Sequence, residues 1–217
     1  MSLVVDARRR DLRSVNTELK QAVAEGPVFV HAAAHLHGLV AGFKSGEVII
    51  EENSGDYLGV LNDGATIRVN KNAGRYLADS MTLGSVIVEG DAGYGVGAYC
   101  YGGIAVVKGN AGDFTAVMNK GATIIVKGNV GDDVATFMLA GDLVIVGNAG
   151  KNLGNYLIRG NIYIGGEWES LGHNTLVEEM SPDDHAKLRR YFDEYGIDAD
   201  LTTFKKIVRR LEKPFYK

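Results

Sequence analysis

Few residues in this chain have the types and spacing that catalysis or metal binding requires. His31, His35 and His37 form the one cluster of candidate metal ligands in the sequence. His31 and His35 would share a face on a helix, whereas His35 and His37 would share a face on a strand. Because no Asp, Glu or Cys lies among them, we expect structural histidines at an irregular first coil, with a metal site as the alternative.

The other candidates for chemistry are one thiol and two pairs of carboxylates. Cys100 has no histidine near it in the sequence that would act as its base, so we predict a small buried side chain and no nucleophile. One cysteine also excludes an intrachain disulfide and an iron–sulfur cluster held by this chain alone. The pairs Asp132–Asp133 and Glu51–Glu52 would suit a polysaccharide-cleaving enzyme only beside a substrate groove, and turn or solvated positions explain them equally well.

A glycine motif might be mistaken for a nucleotide-binding loop. Gly93, Gly95 and Gly97 alternate with other residues, but a dinucleotide fingerprint needs a following helix and an acidic residue about 20 positions later. Equivalent small residues recur along the chain with no helical pattern after them. We therefore predict no catalytic, cofactor-binding or metal-binding residues in this chain.

The most specific signal is an internal period of 19 residues. Of the 29 glycines, 27 lie between Gly38 and Gly172, and no proline occurs between Pro27 and Pro182. One glycine recurs at every nineteenth position, and we name this set the glycine column: Gly55, Gly74, Gly93, Gly112, Gly131 and Gly150. An amide or acid stands two residues before each, and we name this set the asparagine column: Asn53, Asn72, Asp91, Asn110, Asn129 and Asn148.

Apolar residues follow the same period in two columns, two positions apart, which place them on one face of a strand. The columns are Val48, Ile67, Val86, Ala105, Ile124, Leu143 and Ile162, and Ile50, Val69, Val88, Val107, Val126, Ile145 and Ile164. Nineteen residues with several glycine corners suit one coil of a parallel β-helix, in which equivalent residues stack about 4.8 Å apart. We predict a mainly β fold, a right-handed parallel β-helix of about 6–7 coils of 19 residues. The glycine and asparagine columns form a structural ladder, in which Asn tolerates left-handed angles and bonds to its equivalents in adjacent coils.

The flanking segments read as helical caps. Apolar spacing predicts an N-terminal helix over residues 12–24, and Ser181-Pro182 begins a second helix that ends at Gly196. We predict another helix from Thr202 to Leu211, with a basic outer face that is solvated or meets an acidic partner. The predicted organisation is an N-terminal helix and cap over 1–37, a β-helix domain over 38–172, and a C-terminal helical tail over 173–217 that packs on the β-helix or on a partner.

Composition excludes several classes of protein. The length of 217 residues favours one domain. The hydrophobic fraction of 46% is too high for a disordered protein. The net charge of −4 gives no basic footprint for nucleic acid. No apolar run is long enough to span a membrane and no secretory signal is evident, so we expect no membrane partner and a cytoplasmic location.

Two segments carry a resemblance to a known family. Gly90–Gly97 (GDAGYGVG) and Gly147–Gly154 (GNAGKNLG) both read G-x-x-G-x-x-x-G. Over about residues 38–172 the chain resembles the glycine-repeat (GXGXG) β-helix that forms the C-terminal domain of the glutamate synthase large chain. The segment Ile164–Gly172 (IGGEWESLG), followed by helices, looks most like the stand-alone form of that domain. Relatives include one subunit of N-methylglutamate synthase and one subunit of formylmethanofuran dehydrogenase.

The resemblance implies a non-catalytic subunit of a glutamate-synthase-type complex. In that family the β-helix holds together the amidotransferase and the flavin/iron–sulfur domains, so the expected partners are glutamine amidotransferase-type and flavin-dependent synthase-type subunits. FMN and the iron–sulfur cluster are then expected on those partners and no cofactor on this chain; a homo-oligomer is also possible. The alternatives are the related subunit of a formylmethanofuran dehydrogenase, a subunit of N-methylglutamate synthase and, more remotely, a carbohydrate-active β-helix.

Overall fold

The computed structural model describes residues 3–211 as two helices and a long series of short strands. In chain order the elements are β1 (Leu3–Asp6), α1 (Leu12–Ala22), β2 (Val28–His31), β3 (Glu47–Ile50), β4 (Asp63–Val69), β5 (Leu83–Val88), β6 (Ile104–Val107), β7 (Lys120–Val126), β8 (Ala140–Ile145), β9 (Asn161–Ile164), β10 (Thr175–Glu178), α2 (Pro182–Tyr195), a 3₁₀ turn (Leu201–Thr203) and β11 (Lys205–Arg209). None of the helices in this described part is long and apolar enough to cross a membrane.

Strands β1 to β9 pair in parallel and in sequence order within one sheet. From β3 to β9, residues of the apolar columns that pair between neighbouring strands are 19 positions apart in the sequence: Val48 pairs with Ile67, and Ile67 pairs with Val86. The last parallel pair places Leu143 opposite Ile162. These pairings confirm the mainly β fold and a parallel β-helix whose coils are 19 residues apart. Its right-handed coiling stays a prediction.

The core is a stack of aliphatic side chains from successive coils. Both apolar columns are 0% exposed along their whole length, from Val48 and Ile50 to Ile162 and Ile164. A single coil has no second layer on which to bury these side chains, so each coil depends on its neighbours. Helix α1 contributes Val15 and Leu19 to the same core. The predicted helix over 12–24 is therefore confirmed, and its apolar face packs against the first coils.

The corner after each column glycine has an unusual alternating backbone. The second, fourth and sixth residues after Gly55 are Tyr57, Gly59 and Leu61, with φ values of 57°, 67° and 58°. The same left-handed positions recur in every coil up to residue 156. Tyr57 N donates to the following coil, and Gly59 N donates to the preceding coil. Each corner is thus hydrogen-bonded on both sides. Small residues suit the fourth position because it faces the core, where a Cβ on Gly59 would lie 2.8 Å from Ile67 Cδ1.

This geometry corrects the expected role of the asparagine column. None of its residues has a positive φ. The left-handed angles belong to the three positions just described, several of which carry aromatic residues. The prediction that asparagine serves this column through its tolerance of such angles is therefore wrong, and the structure uses its side-chain oxygen instead, as described below.

Helix α2 covers the outer face of the sheet. Outward-pointing Ile87, Val106, Ile125 and Val144 are apolar, and α2 packs on them with Leu188, Phe192 and neighbouring side chains. Ser181 caps the helix in a capping box with Asp184, and Gly196 ends it with φ 63°. The predicted start and end of this helix are confirmed. The strands carry apolar residues on both faces because both faces are buried.

The predicted helix from Thr202 to Leu211 is wrong. A 3₁₀ turn occupies Leu201–Thr203, and Lys205–Arg209 form strand β11, which lies between β9 and β10 and is antiparallel to both. Phe204 and Ile207 are buried, as the helical spacing also required, so over so short a segment the pattern did not distinguish the two structures. The unpaired edge of β9 favours the strand, because pairing satisfies its backbone groups.

Candidate functional site

The asparagine column forms a ladder of side chain–backbone hydrogen bonds. Each side-chain Oδ1 accepts from the backbone N–H of the equivalent residue in the next coil, as in Asn72 N to Asn53 Oδ1 (3.1 Å) and Asn110 N to Asp91 Oδ1 (2.7 Å). The series ends where Asn148 Oδ1 accepts from Glu167 N at 2.8 Å. The ladder therefore needs an acceptor at each position, which Asn and Asp both supply.

We expect the substitution Asn129→Ala to reduce the free energy of unfolding by about 1 kcal/mol, because Asn148 N then loses its acceptor. Asn129→Asp keeps the acceptor, as Asp91 does in the same column, and is expected to change stability by less than about 0.5 kcal/mol. Urea unfolding monitored by circular dichroism measures both. Equal losses for the two variants would contradict the acceptor role.

The glycine column lies where consecutive coils approach each other closely. Gly93 N donates to Gly74 O, and Gly112 N donates to Gly93 O, both at 3.1 Å. A Cβ atom on Gly74 would lie 2.6 Å from Asp56 N and from Gly55 C, so the preceding backbone occupies that space. In the motif that resembled a nucleotide loop, Gly95 and Gly97 adopt left-handed angles of the corner, with φ 74° and 63°.

The histidine cluster is divided among three separate partners. His31 Nδ1 lies 2.9 Å from Glu51 Oε2, and His35 Nε2 donates to Arg10 O at 3.2 Å. His37 Nδ1 accepts from Asp56 N at 2.9 Å. Within residues 3–211, no group of three His, Cys, Asp or Glu side chains is arranged to hold a metal ion.

Both carboxylate pairs contact the backbone or a neighbouring side chain. Asp132 Oδ1 accepts from Lys151 N at 2.8 Å, and Asp133 Oδ1 accepts from Asn152 Nδ2 at 3.0 Å. Glu52 Oε2 accepts from Ala32 N at 3.2 Å. These contacts join one coil to the next.

Cys100 lies inside the β-helix, as predicted. Its side chain is 0% exposed, and Sγ donates to Ala78 O at 2.9 Å. Burial raises the pKa of the Cys100 thiol to about 12, although hydrogen bonds from the Met81 and Ser80 backbones act in the opposite direction. Because the thiolate is the reactive form, this site suits a packing role.

We expect native Cys100 to react with a thiol reagent such as Ellman's reagent at pH 8 about three orders of magnitude more slowly than an ordinary cysteine. The slow rate follows from both the raised pKa and the lack of access. Absorbance measures the reaction, and the same protein in denaturing urea is the control that reacts at the ordinary rate. Rapid modification of folded protein would contradict a closed core at this position.

A buried network of charged residues anchors α2, and sequence reasoning missed it. Tyr163 Oη donates to Asp184 Oδ1 at 2.6 Å, and Lys206 Nζ donates to both oxygens of Asp184 at 3.1 Å. Lys187 Nζ pairs with Asp142 at 3.0 Å and also donates to Tyr163 Oη at 3.2 Å. The network joins β8, β9, β11 and α2, so the sequence shows these residues far apart with no signal that they meet.

The corners form a second feature that was missed, which we name the aromatic groove. Two ridges of left-handed residues, two and six positions after the column glycines, enclose a cleft of about 320 Å³ along the axis of the β-helix. The residues that line it are Tyr76, Tyr94, Tyr99, Phe114, Val117, Met118, Thr136 and Phe137. The signal was present in the sequence, since Met118 and Phe137 follow Tyr99 at the period of 19.

Neighbouring rings stack along this face. Tyr57 and Tyr76 have centroids 4.8 Å apart with an interplanar angle of 9°, and Phe137 and Tyr156 are 5.4 Å apart at 11°. Tyr99 is 40% exposed. The other aromatic residues of the groove are half-buried, and a partly exposed aromatic surface of this kind is typical of a site that contacts another molecule. No family model matches the chain, and no curated protein shows significant similarity to it.

Proposed function

We propose that this chain is a non-catalytic β-helical subunit of a cytoplasmic glutamate-synthase-type complex. In this proposal it holds a glutamine amidotransferase-type subunit and a flavin-dependent synthase-type subunit in a fixed relative position. FMN and the iron–sulfur cluster belong to the partner subunits. The family part of the proposal rests on the glycine motifs at Gly90–Gly97 and Gly147–Gly154 and on the segment Ile164–Gly172.

The observation that carries the scaffold role is the aromatic groove on a β-helix whose coils are bonded to both neighbours. A scaffold needs a surface that contacts partners and a body that keeps its shape. The groove offers the first, and the double hydrogen bonding of each corner, such as Tyr57 N to Arg75 O and Gly59 N to Leu39 O, offers the second. Cys100, the thiol considered above as a possible nucleophile, instead donates a hydrogen bond to Ala78 O inside the β-helix.

The test is co-expression of this chain with the amidotransferase-type and flavin-dependent synthase-type subunits from the same genome. We expect the three to co-purify, and we expect glutamate synthesis from glutamine and 2-oxoglutarate to require the complex. Omission of this chain should uncouple glutamine hydrolysis from glutamate formation. Turnover of glutamine or 2-oxoglutarate by this chain alone, or failure of the subunits to associate with it, would refute the proposal.

A further inference from the structure

The aromatic groove is bordered by acidic side chains that have no basic partner. Asp113 and Asp132 directly follow their column glycines and lie beside the ridge formed two positions after those glycines. Asp133 belongs to that ridge. Asp79 belongs to the column five positions after the glycines, which contributes Val117 and Thr136 to the groove. Within residues 3–211, none of these four carboxylates forms an ion pair with a lysine or arginine. The charges of these four acids are therefore not neutralised by an ion pair.

Their existing hydrogen bonds leave the negative charges in place. Asp113 Oδ1 accepts from Asp132 N at 2.8 Å, and Asp79 Oδ1 accepts from Ser80 Oγ at 2.9 Å. Burial raises the pKa of Asp79, although the Ser80 hydrogen bond lowers it, which is the direction expected for a carboxylate without a cation beside it. A cation brought to this site would offset that cost.

The basic side chains that approach the groove are already engaged. Arg75 binds Asp56 through Nη2 at 2.9 Å. Lys120 Nζ donates to Tyr101 Oη at 2.9 Å and lies 5.9 Å from the centre of the Tyr99 ring. Lys151, whose backbone N donates to Asp132, directs its Nζ to Glu169 at 3.7 Å, and none of these three cations forms an ion pair with the four acids. The groove thus combines aromatic walls with a negative border.

We propose that the aromatic groove binds a protein partner that inserts apolar side chains flanked by lysine or arginine. This inference deepens the proposed function and rests on it, because it assigns the contact with a partner protein to one face of the β-helix. From Tyr76 to Phe137 the groove spans about three coil spacings, or about 14 Å, which is the length of about four extended residues. Aromatic walls provide the anchoring contacts, and the carboxylates select basic flanks.

The ring geometry favours a protein over a polysaccharide or a nucleic acid. Sugars and bases bind aromatic residues by stacking on open ring faces. Within the groove, Tyr76 and Tyr94 meet at 66° and Tyr94 and Phe114 at 37°, so these adjacent rings do not present parallel faces on which successive sugars or bases would stack. The acidic border also repels phosphate groups.

Two groups of variants test the proposal. Tyr99→Asn with Phe114→Asn removes one anchor from each ridge and keeps left-handed backbone angles, because Asn tolerates φ values of 58° and 57°. Asp113→Asn with Asp132→Asn removes charge but keeps the hydrogen-bond acceptors. The matched controls are Leu61→Asn, at the left-handed position equivalent to Tyr99 two coils earlier, and Glu25→Gln with Glu178→Gln, exposed acids away from the groove.

Two probes separate this inference from the proposed function. The first probe is the pair of co-expressed subunits, and the second is a labelled twelve-residue peptide of alternating lysine and leucine, with a glutamate–leucine peptide as its control. For both probes we expect the aromatic variant to bind about 10-fold more weakly. We expect the Asp→Asn variant to bind about 3-fold more weakly with a shallower salt dependence, and the controls to bind as wild type.

Each outcome has a defined meaning. If the subunits bind wild type and both groove variants equally, the groove proposal fails and the proposed function stands. If the subunits do not associate but the lysine–leucine peptide binds in a groove-dependent manner, the proposed function fails and the groove proposal stands. Groove-dependent retention on a polysaccharide gel, or dimerisation that the aromatic variant abolishes, would replace the proposed occupant by a sugar polymer or a second copy.

Discussion

The substitution Gly74→Ala is expected to lower the free energy of unfolding by about 2–4 kcal/mol. The added Cβ would lie 2.6 Å from two backbone atoms of the preceding coil, and backbone, unlike a flexible side chain, has no alternative rotamer. Consecutive coils would have to separate at this corner, which weakens the adjacent inter-coil hydrogen bonds as well. The lower chain entropy of unfolded Ala recovers only about 0.4–1 kcal/mol. Urea denaturation measures the change.

The matched control for this prediction is Gly42→Ala. Gly42 has a left-handed φ of 64°, but a Cβ atom there meets nothing within 4 Å. Its cost is therefore backbone strain alone, about 1 kcal/mol. If both variants lose the same stability, the close contact of coils at the glycine column is not what excludes a side chain.

The substitution Asp184→Asn is expected to destabilise the protein by about 2–4 kcal/mol at pH 7, because it removes the charge that pairs with Lys206 in a partly buried site. Asp184 is 5% exposed, and its carboxylate accepts hydrogen bonds from Tyr163, Ser181 and Lys206. Urea unfolding measures the loss. Asp183→Asn, an exposed substitution in the same turn of α2, is the control and should cost less than about 1 kcal/mol.

The same carboxylate makes stability depend on acid pH. Burial acts to raise the pKa of Asp184, but the hydrogen bonds from Tyr163, Ser181 and Lys206 outweigh it and hold the pKa well below its usual range. A lowered folded pKa contributes stability that is present above the unfolded value of about 3.9 and is lost as the pH falls toward the folded value. Unfolding from pH 7 to pH 3 should show this loss in wild type and a flatter profile in Asp184→Asn. Parallel profiles would contradict it.

The fold of the central region was predictable because its period is enforced by geometry. A side chain at Gly74 collides with the preceding coil, and a polar residue at Ile124 would enter a fully buried column. Each such requirement repeats in every coil, so the sequence repeats it too. The C-terminal segment has no repeat. There Ile207 and Val208 fit a helical face and a strand equally, and the unpaired edge of β9, far away in sequence, decided the outcome.

The candidate site was harder to predict than the fold. The outward column Ile87, Val106 and Ile125 is covered by α2, and the choice of that segment depends on contacts such as Lys187 with Asp142, which join residues far apart in the sequence. The aromatic ridges repeat only in part, since Gly95 and Asp133 interrupt one of them. A surface tolerates such interruptions because no neighbouring coil forbids them, so surface features leave a weaker period than core features.

The antiparallel insertion of β11 has a consequence for synthesis on the ribosome. Each strand from β1 to β8 pairs with the strand that follows it in the sequence. The outer edge of β9 has no partner until residues 205–209 have been made. During that interval the nascent chain exposes an aligned row of free peptide groups. Those groups match the edge of another nascent copy. Pairing of β11 therefore removes an edge through which two chains would otherwise be able to associate.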